Sequence, residues 1–404
     1  MEFGLTTVGG VVWSGVSCDV RGLEDGRLDV ALIYSRSPCT AAGVFTTNRM
    51  AAAPVMLGRE QLGEEKRYHG VLINSGNANA CTGRQGMEDA RRMRRLAAER
   101  VGCDETALFV CSTGRIGRLL PMEKLEDGIR RAALGLGCTE AHGLMAADAI
   151  LTSDTRRKVV SRRIRVGGRI VSIAGMAKGA GMIEPNMATM LAFIVTDAAV
   201  EGSVLQGLLE ESVSGSFNAI TVDGDSSTND TVLVFANGEA GVTLCPNGSG
   251  WDLFREAFAD VCMELARKIV GDGEKITKVV EIVVEGAASV ADARRAARAV
   301  GNSLLVKASW YGEDPNWGRL VDAVGYSGAE VSQDSIAVHY GLEGQPWVSV
   351  FAAGEVHLDN KPLWEAIVRE RQFRVKIDLG QGQDAFRLWA TDLTEGYVHF
   401  NRSE

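Results

Sequence analysis

Strand-sized apolar runs alternate with helix-sized amphipathic segments along this chain, and that alternation restricts it to a mixed α/β or α+β architecture. β-rich runs fall at residues 70–74, 191–195, 231–236, 279–284 and 349–353. Between them, residues 87–101 carry Ala90, Met93, Leu96, Ala97 and Val101 at helical spacing, with five arginines expected to face water. Residues 203–216 and 251–270 read as further helices, and Asp252 suits the first turn of the second. Turns rely on glycine, since there are 47 glycines against 8 prolines. A length of 404 residues suggests two or three domains. A strand over 279–284 and a helix over 289–300 place a boundary after Lys278 and leave a small C-terminal α/β domain.

Composition removes several classes of function. A formal net charge of -9 opposes a dedicated nucleic-acid binder, which needs a basic face. The start of the chain lacks the basic and apolar regions of a signal peptide. No apolar run approaches the roughly 18 residues of a membrane span. Eight cysteines are scattered without a CxxC pair and five histidines are dispersed, which fits reduced thiols in the cytoplasm and no metal site. Spacing of Asp223 and Asp225 resembles the opening of a calcium loop, but Thr228 and Val234 stand where glycine and glutamate are required.

Four polar segments are candidates for chemistry. In residues 178–195, a glycine-rich stretch passes through Pro185-Asn186 into an apolar strand beginning near Thr189. One reading makes Thr189 an ordinary β-branched residue of a buried strand. The other makes it a self-processing nucleophile: cleavage of Ala188–Thr189 frees an α-amine of pKa about 7.7–8.0 that can act as base for its own hydroxyl. Cys111-Ser-Thr-Gly-Arg-Ile-Gly117 can turn a backbone N–H and a hydroxyl toward one point, as an oxyanion hole requires, or can simply be a turn. Residues 73–80, Ile-Asn-Ser-Gly-Asn-Ala-Asn-Ala, and the Asp-, Ser- and Asn-rich residues 221–230 complete the set.

Together, INSGNANACTG, STGRIG, KGAGMIEPNMATMLAFIVTDA, SFNAITVDGDSSTNDT, GDGEKITK and DPNWGR resemble the ornithine acetyltransferase family, the glutamate N-acetyltransferases of arginine biosynthesis. The likeness runs to about Asn401. It implies a layered αββα core similar to that of N-terminal-nucleophile hydrolases, though differently connected. It also implies self-cleavage into an α chain of residues 1–188 and a β chain of residues 189–404, assembled two and two, with residues 189–278 completing the core and 279–404 forming the smaller domain. By the same resemblance Thr189 is the nucleophile, Thr113 and Gly114 form the oxyanion hole, and Thr152, Lys178, Thr189, Glu274 and Asn401 bind substrate. No cofactor is implied beyond acetyl-CoA as an optional co-substrate; no nucleic acid or membrane partner is implied.

The implied reaction is a ping-pong acyl transfer from N-acetylornithine through acetyl-Thr189 to glutamate. Lys178 would attract a substrate carboxylate and Glu274 the ornithine ammonium. Two departures from the family stand out: Lys275 beside Glu274 is positioned in sequence to compete for its carboxylate, and family members continue past Asn401 to a terminal hydroxyl residue for which Ser403 is the candidate substitute. The rival readings are a bifunctional enzyme that also uses acetyl-CoA, an aminopeptidase or amidase on the same nucleophile, and a binding protein that keeps the fold without turnover.

Overall fold

The structure is a computed structural model and describes residues 4–63, 66–184 and 190–402. The chain forms two compact units, Met1–Asn218 with Asp225–Ile269, and Ala219–Gly224 with Val270–Glu404.

The first unit is built on β1 (Val11–Val16), β2 (Val30–Phe45), β3 (Tyr68–Asn77), β4 (Leu108–Arg115), β5 (Lys158–Val166), β6 (Arg169–Lys178), β7 (Leu191–Thr196), β8 (Ala199–Val200), β9 (Thr231–Ala236) and β10 (Thr243–Leu244). Their order is β4-β3-β2-β9-β7-β6-β5, with β1 on β2, and β8 pairs β10 separately. β2 is long enough to serve two sheet halves. Residues 30–34 pair with β3 and residues 40–45 with β9, and the register breaks between Tyr34 and Cys39. Pro38 lies in that break, where its missing N–H costs no ladder bond.

The two halves face each other across one core. Ala31 and Ile33 of β2, Val71 and Ile73 of β3, Phe193 and Val195 of β7 and Leu233 and Phe235 of β9 share a single buried cluster. The alternate residues Val30, Leu32, Leu72, Leu108 and Val110 turn away from it and pack on helices α1 (Ala53–Gln61), α2 (Gly83–Val101) and α3 (Met122–Leu134). A further helix, α4 (Glu140–Ala149), lies so close to β1 that a Cβ on Gly15 would stand 2.1 Å from the Met145 carbonyl oxygen. On the other side, α5 (Gly202–Gly215) and α6 (Trp251–Val270) cover the second half; a Cβ at Gly175 of β6 would meet Leu265 of α6 at 2.9 Å. Buried Phe254, Phe258, Val261, Leu265 and Ile269 make the stripe that α6 presents. The layers are therefore helix, sheet, sheet, helix.

One expectation for α2 fails. Of its five central arginines, Arg94 is buried, with Nη1 donating to Gln61 Oε1 at 3.2 Å and Nη2 lying 3.6 Å from Glu105. Gln61 is itself held by the Thr106 and Leu108 carbonyls at 2.8 Å, so the guanidinium enters a ready-made polar pocket.

The second unit has one mixed sheet of β11 (Val279–Ala287), β12 (Ala337–Gly341), β13 (Val348–Ala352), β14 (Glu355–Val356), β15 (Gln372–Asp378) and β16 (Asp384–Thr391), ordered β14-β13-β12-β15-β11-β16. Helices α7 (Val290–Asn302), α8 (Leu304–Tyr311), α9 (Trp317–Gly325), α10 (Lys361–Arg369) and α11 (Glu395–Phe400) accompany it. Val280, Ile282 and Val284 meet Ala293, Ala296, Ala297 and Val300 of α7 in its core. Residues 219–224 add to this sheet, since Thr221 N donates to Trp389 O at 2.8 Å and its hydroxyl to Asn302 Oδ1 at 2.7 Å. The boundary falls at Val270, ahead of Lys278, because Asp392 accepts from Thr277 N and Lys278 N, both at 3.0 Å, tying the strand entry to the second unit.

Candidate active site

The resemblance places Thr113 and Gly114 at the end of β4, where β4 runs parallel to β3 with Thr113 opposite Ser75 and Gly114 opposite Gly76. Gly114 has φ +134°, and a Cβ there would stand 2.3 Å from the Gly76 carbonyl carbon and 2.5 Å from Asn77 N. Only glycine fits this close approach of two backbones. Thr113 is buried, and its hydroxyl makes no hydrogen bond with any described residue.

Beneath this strand end lies a buried amide network. Ser112 Oγ donates to Asn74 Oδ1 at 2.6 Å, and Asn74 Nδ2 to Asn77 O at 2.9 Å. Asn229 Nδ2 donates to both Ala78 O, at 2.6 Å, and Ser112 O, at 2.8 Å, while its Oδ1 accepts from Thr228 Oγ1 at 2.5 Å. The neighbouring residue faces the other way: Asp230 Oδ1 accepts from Met190 N at 2.6 Å. Two consecutive side chains thus hold the end of β4 and the entry to β7 against one loop. Asp230 is fully buried and its Oδ2 has no partner among the described residues. Burial pushes its carboxyl well above the usual carboxylate range, against the opposing hydrogen bond from Met190 N and the nearby Lys178 charge.

Lys178 ends β6, opposite Leu191 at the start of β7. It is buried, and so is Lys158 of β5, whose Nζ reaches Asp154 Oδ1 at 2.6 Å. Asp154 Oδ1 also accepts from Gly179 N at 2.7 Å, and Oδ2 from Thr152 N at 3.0 Å. Burial alone would raise the Asp154 pKa, but Lys178, Lys158 and these donors outweigh it and hold it at about 2. Described hydrogen bonds therefore join Ser112, next to Thr113, through Asn229 and its neighbour Asp230 to Met190, and a second set joins Thr152, Gly179 and Lys158 through Asp154. Thr189 and Ala188, the expected nucleophile and scissile partner, lie outside the described residues, as does Ser403.

Glu274 and Asn401 belong to the second unit and meet there, Asn401 Nδ2 donating to Glu274 Oε2 at 3.1 Å and to Tyr397 O at 3.0 Å. Lys275 does not compete for Glu274 as its sequence neighbour position suggests. With φ +55° it turns away, and its Nζ stands 5.2 Å over the Phe400 ring.

Asn229 and Asp230 were picked out only as part of the 221–230 segment, and Asp154 and Lys158, between the quoted motifs, not at all. The available signal was charge or amide at the edges of strand-forming runs, where burial demands a partner.

The ArgJ family model matches residues 12–403. The arginine biosynthesis bifunctional protein ArgJ of Symbiobacterium thermophilum is 47% identical over 403 residues, covering 99% of this chain and 98% of that protein. Its counterpart from Geobacter sulfurreducens is 46% identical over 395 residues, covering 98% of each. The crystal structure of the ArgJ protein from Bacillus halodurans is similar at 38% identity and TM-score 0.50, over 54% of this chain and 100% of that one. A match that begins before the end of β1 and continues past α11 spans both units, and the chain belongs to the ArgJ family.

Proposed function

We propose that this chain is a self-cleaving glutamate N-acetyltransferase of arginine biosynthesis, moving acetyl from N-acetyl-L-ornithine to L-glutamate. The observation that carries the reading is the pair Asn229–Asp230, which ties the Thr113–Gly114 strand end and the chain just after Thr189 to one buried loop. Acyl transfer needs a hydroxyl nucleophile and oxyanion donors held relative to each other, and these contacts support that reading.

In this reading Thr189 first attacks the Ala188 carbonyl, and hydrolysis of the resulting ester leaves a free α-amine. During turnover the Thr189 hydroxyl, its proton taken by that amine, attacks the acetyl carbonyl of N-acetylornithine. Thr113 and Gly114 stabilise the oxyanion, the C–N bond breaks, and ornithine leaves with the proton. The amine of glutamate then attacks acetyl-Thr189, releasing N-acetylglutamate and restoring the hydroxyl. Lys178 and Thr152 bind the substrate carboxylate end and Glu274 and Asn401 the ornithine ammonium end, and Ser403 stands in for the terminal hydroxyl residue of the family. Mature protein would be two α and two β chains in the cytoplasm, working without a cofactor. No described helix is long and apolar enough to cross a membrane.

Denaturing intact-mass spectrometry tests this directly. Two fragments meeting at Ala188/Thr189, absent from Thr189→Ala, are expected, together with acetyl transfer between ornithine and glutamate. A single uncut chain without transfer would refute it. A second reading is favoured by the relatives' name, since both curated ArgJ proteins are called bifunctional. Incubation with acetyl-CoA and glutamate alone tests whether this chain also makes N-acetylglutamate afresh.

A further inference from the structure

Two segments of the second unit, 273–276 and 394–401, are joined by one buried hydroxyl. Ile276 N donates to Gly273 O at 3.4 Å and closes a turn with Glu274 and Lys275 at its centre. Lys275 holds φ +55°, in the left-handed region that favours glycine or asparagine. A lysine stays there only where its surroundings fix it. Thr394 supplies the fixing bond: its Oγ1 donates its single hydrogen to Lys275 O at 2.7 Å, from 119 positions away in the chain. With a lone pair the same oxygen accepts from Tyr397 N at 3.0 Å and caps α11. The other end of α11 leads to Asn401, whose Nδ2 reaches Glu274 Oε2 at 3.1 Å. Gly396 leaves the space for this closure, since a Cβ there would stand 3.1 Å from Lys275 Cβ and 3.3 Å from Thr394 Oγ1.

We infer that Thr394 is a positioning residue for donor recognition, holding Glu274 and Asn401 as one pair that receives the side-chain ammonium of N-acetylornithine; the inference rests on the acetyltransferase reading. Capping α11 requires only the acceptor, and the bond to Lys275 O is an addition that capping does not explain. It locks the peptide that follows Glu274, while the cap fixes the start of the helix that ends beside Asn401. Without the hydroxyl, Lys275 is released toward negative φ and the Glu274 carboxylate swings off Asn401. An ammonium then meets an acid that must be ordered afresh on binding, and the loss falls on the part of the donor that does not react.

The test compares Nα-acetylornithine with Nα-acetylnorvaline, which has the same carbon skeleton without the side-chain ammonium, as acetyl donors to glutamate. The ratio of their kcat/KM values is measured in the wild-type protein, Thr394→Val, Thr394→Ser and Gly396→Ala. Wild type is expected to prefer the ornithine donor. Thr394→Val should shrink that preference about tenfold, chiefly through KM, and Thr394→Ser, which keeps both bonds, should retain it. Gly396→Ala suits a helix better than glycine yet crowds Lys275 Cβ, so it perturbs the turn in a protein that folds, and should shrink the preference by a smaller factor. In a Glu274→Gln background Thr394→Val should shrink it no further, because the residue acts through Glu274. A merely structural hydroxyl would lower the thermal midpoint and slow both donors alike. An unchanged ratio in Thr394→Val or Gly396→Ala, a ratio in Thr394→Ser as low as that in Thr394→Val, an undiminished effect in the Glu274→Gln background, or no preference in wild type overturns the inference. Absence of any acetyl transfer by wild type would instead overturn the functional reading on which it rests.

Discussion

Gly114→Ala is the substitution for which the structure makes the most demanding forecast. The added methyl would sit 2.3 Å from the Gly76 carbonyl carbon, 2.5 Å from Asn77 N and 2.7 Å from Gly76 Cα, all of them backbone atoms that no rotamer change can move. The nearest gap falls about 1 Å short of ordinary contact, so the ends of β3 and β4 must part by roughly that distance. Holding alanine at φ +134° adds strain of about 1–3 kcal/mol. In the proposed mechanism the same displacement carries an oxyanion donor off its mark. A misplacement of about 1 Å costs on the order of 10²-fold in rate, and loss of one such donor about 10²–10³-fold in kcat. The expected result is a kcat reduced by about 10²–10³ with slowed self-cleavage and a lowered thermal midpoint. Stopped-time acetyl-transfer assays and intact mass measure the first two. A variant that cleaves fully and transfers acetyl within about threefold of wild type, under 1 kcal/mol of barrier, would refute the assignment.

Other perturbations follow from the same contacts. Asn229→Ala strips the donor from the buried Ala78 and Ser112 carbonyls and should cost about 1–3 kcal/mol of stability as well as lowering kcat; an unchanged melting temperature would contradict the network. Asp230→Asn keeps an acceptor for Met190 N but removes a carboxyl whose folded-state pKa is raised by burial. The stability such a carboxyl contributes is greatest below its unfolded pKa and is lost as pH rises toward the folded one, so the variant should gain on wild type from pH 4.5 to 7.5. An equal difference in melting temperature at both pH values would show that the carboxyl does not titrate as stated. Glu274→Lys should raise KM for N-acetylornithine much more than it lowers kcat, whereas unchanged donor affinity removes Glu274 from ammonium recognition. Asn401→Ala, at an exposed position, should leave stability within about 0.5 kcal/mol while weakening donor binding, as calorimetry and KM together would report.

Local periodicity alone determined much of the secondary structure. The helix over 251–270 and the strand over 231–236 fall where their patterns place them, because a stripe of apolar residues or a dense β-branched run needs only its own segment to be recognised. Strand-then-polar-loop patterns also marked the stretch that contains Thr113 and Gly114, and motif resemblance extended this to Glu274 and Asn401. Tertiary structure decided what those patterns left open. Arg94 sits among arginines that face water, yet a pocket prepared by Gln61 and Glu105 from other segments buries it. Lys275 follows Glu274 in the chain but turns to Phe400. Asn229 reaches the strand end at Ser112 across more than a hundred residues, and Asp230 reaches Met190 across forty. Asp154 becomes the common acceptor for Thr152, Lys158 and Gly179 only once β5 and β6 pair. A side chain's local pattern reports which surface it prefers, whereas a buried charge or amide is satisfied by whichever distant backbone the fold brings to it, and that partner is not encoded within its own segment.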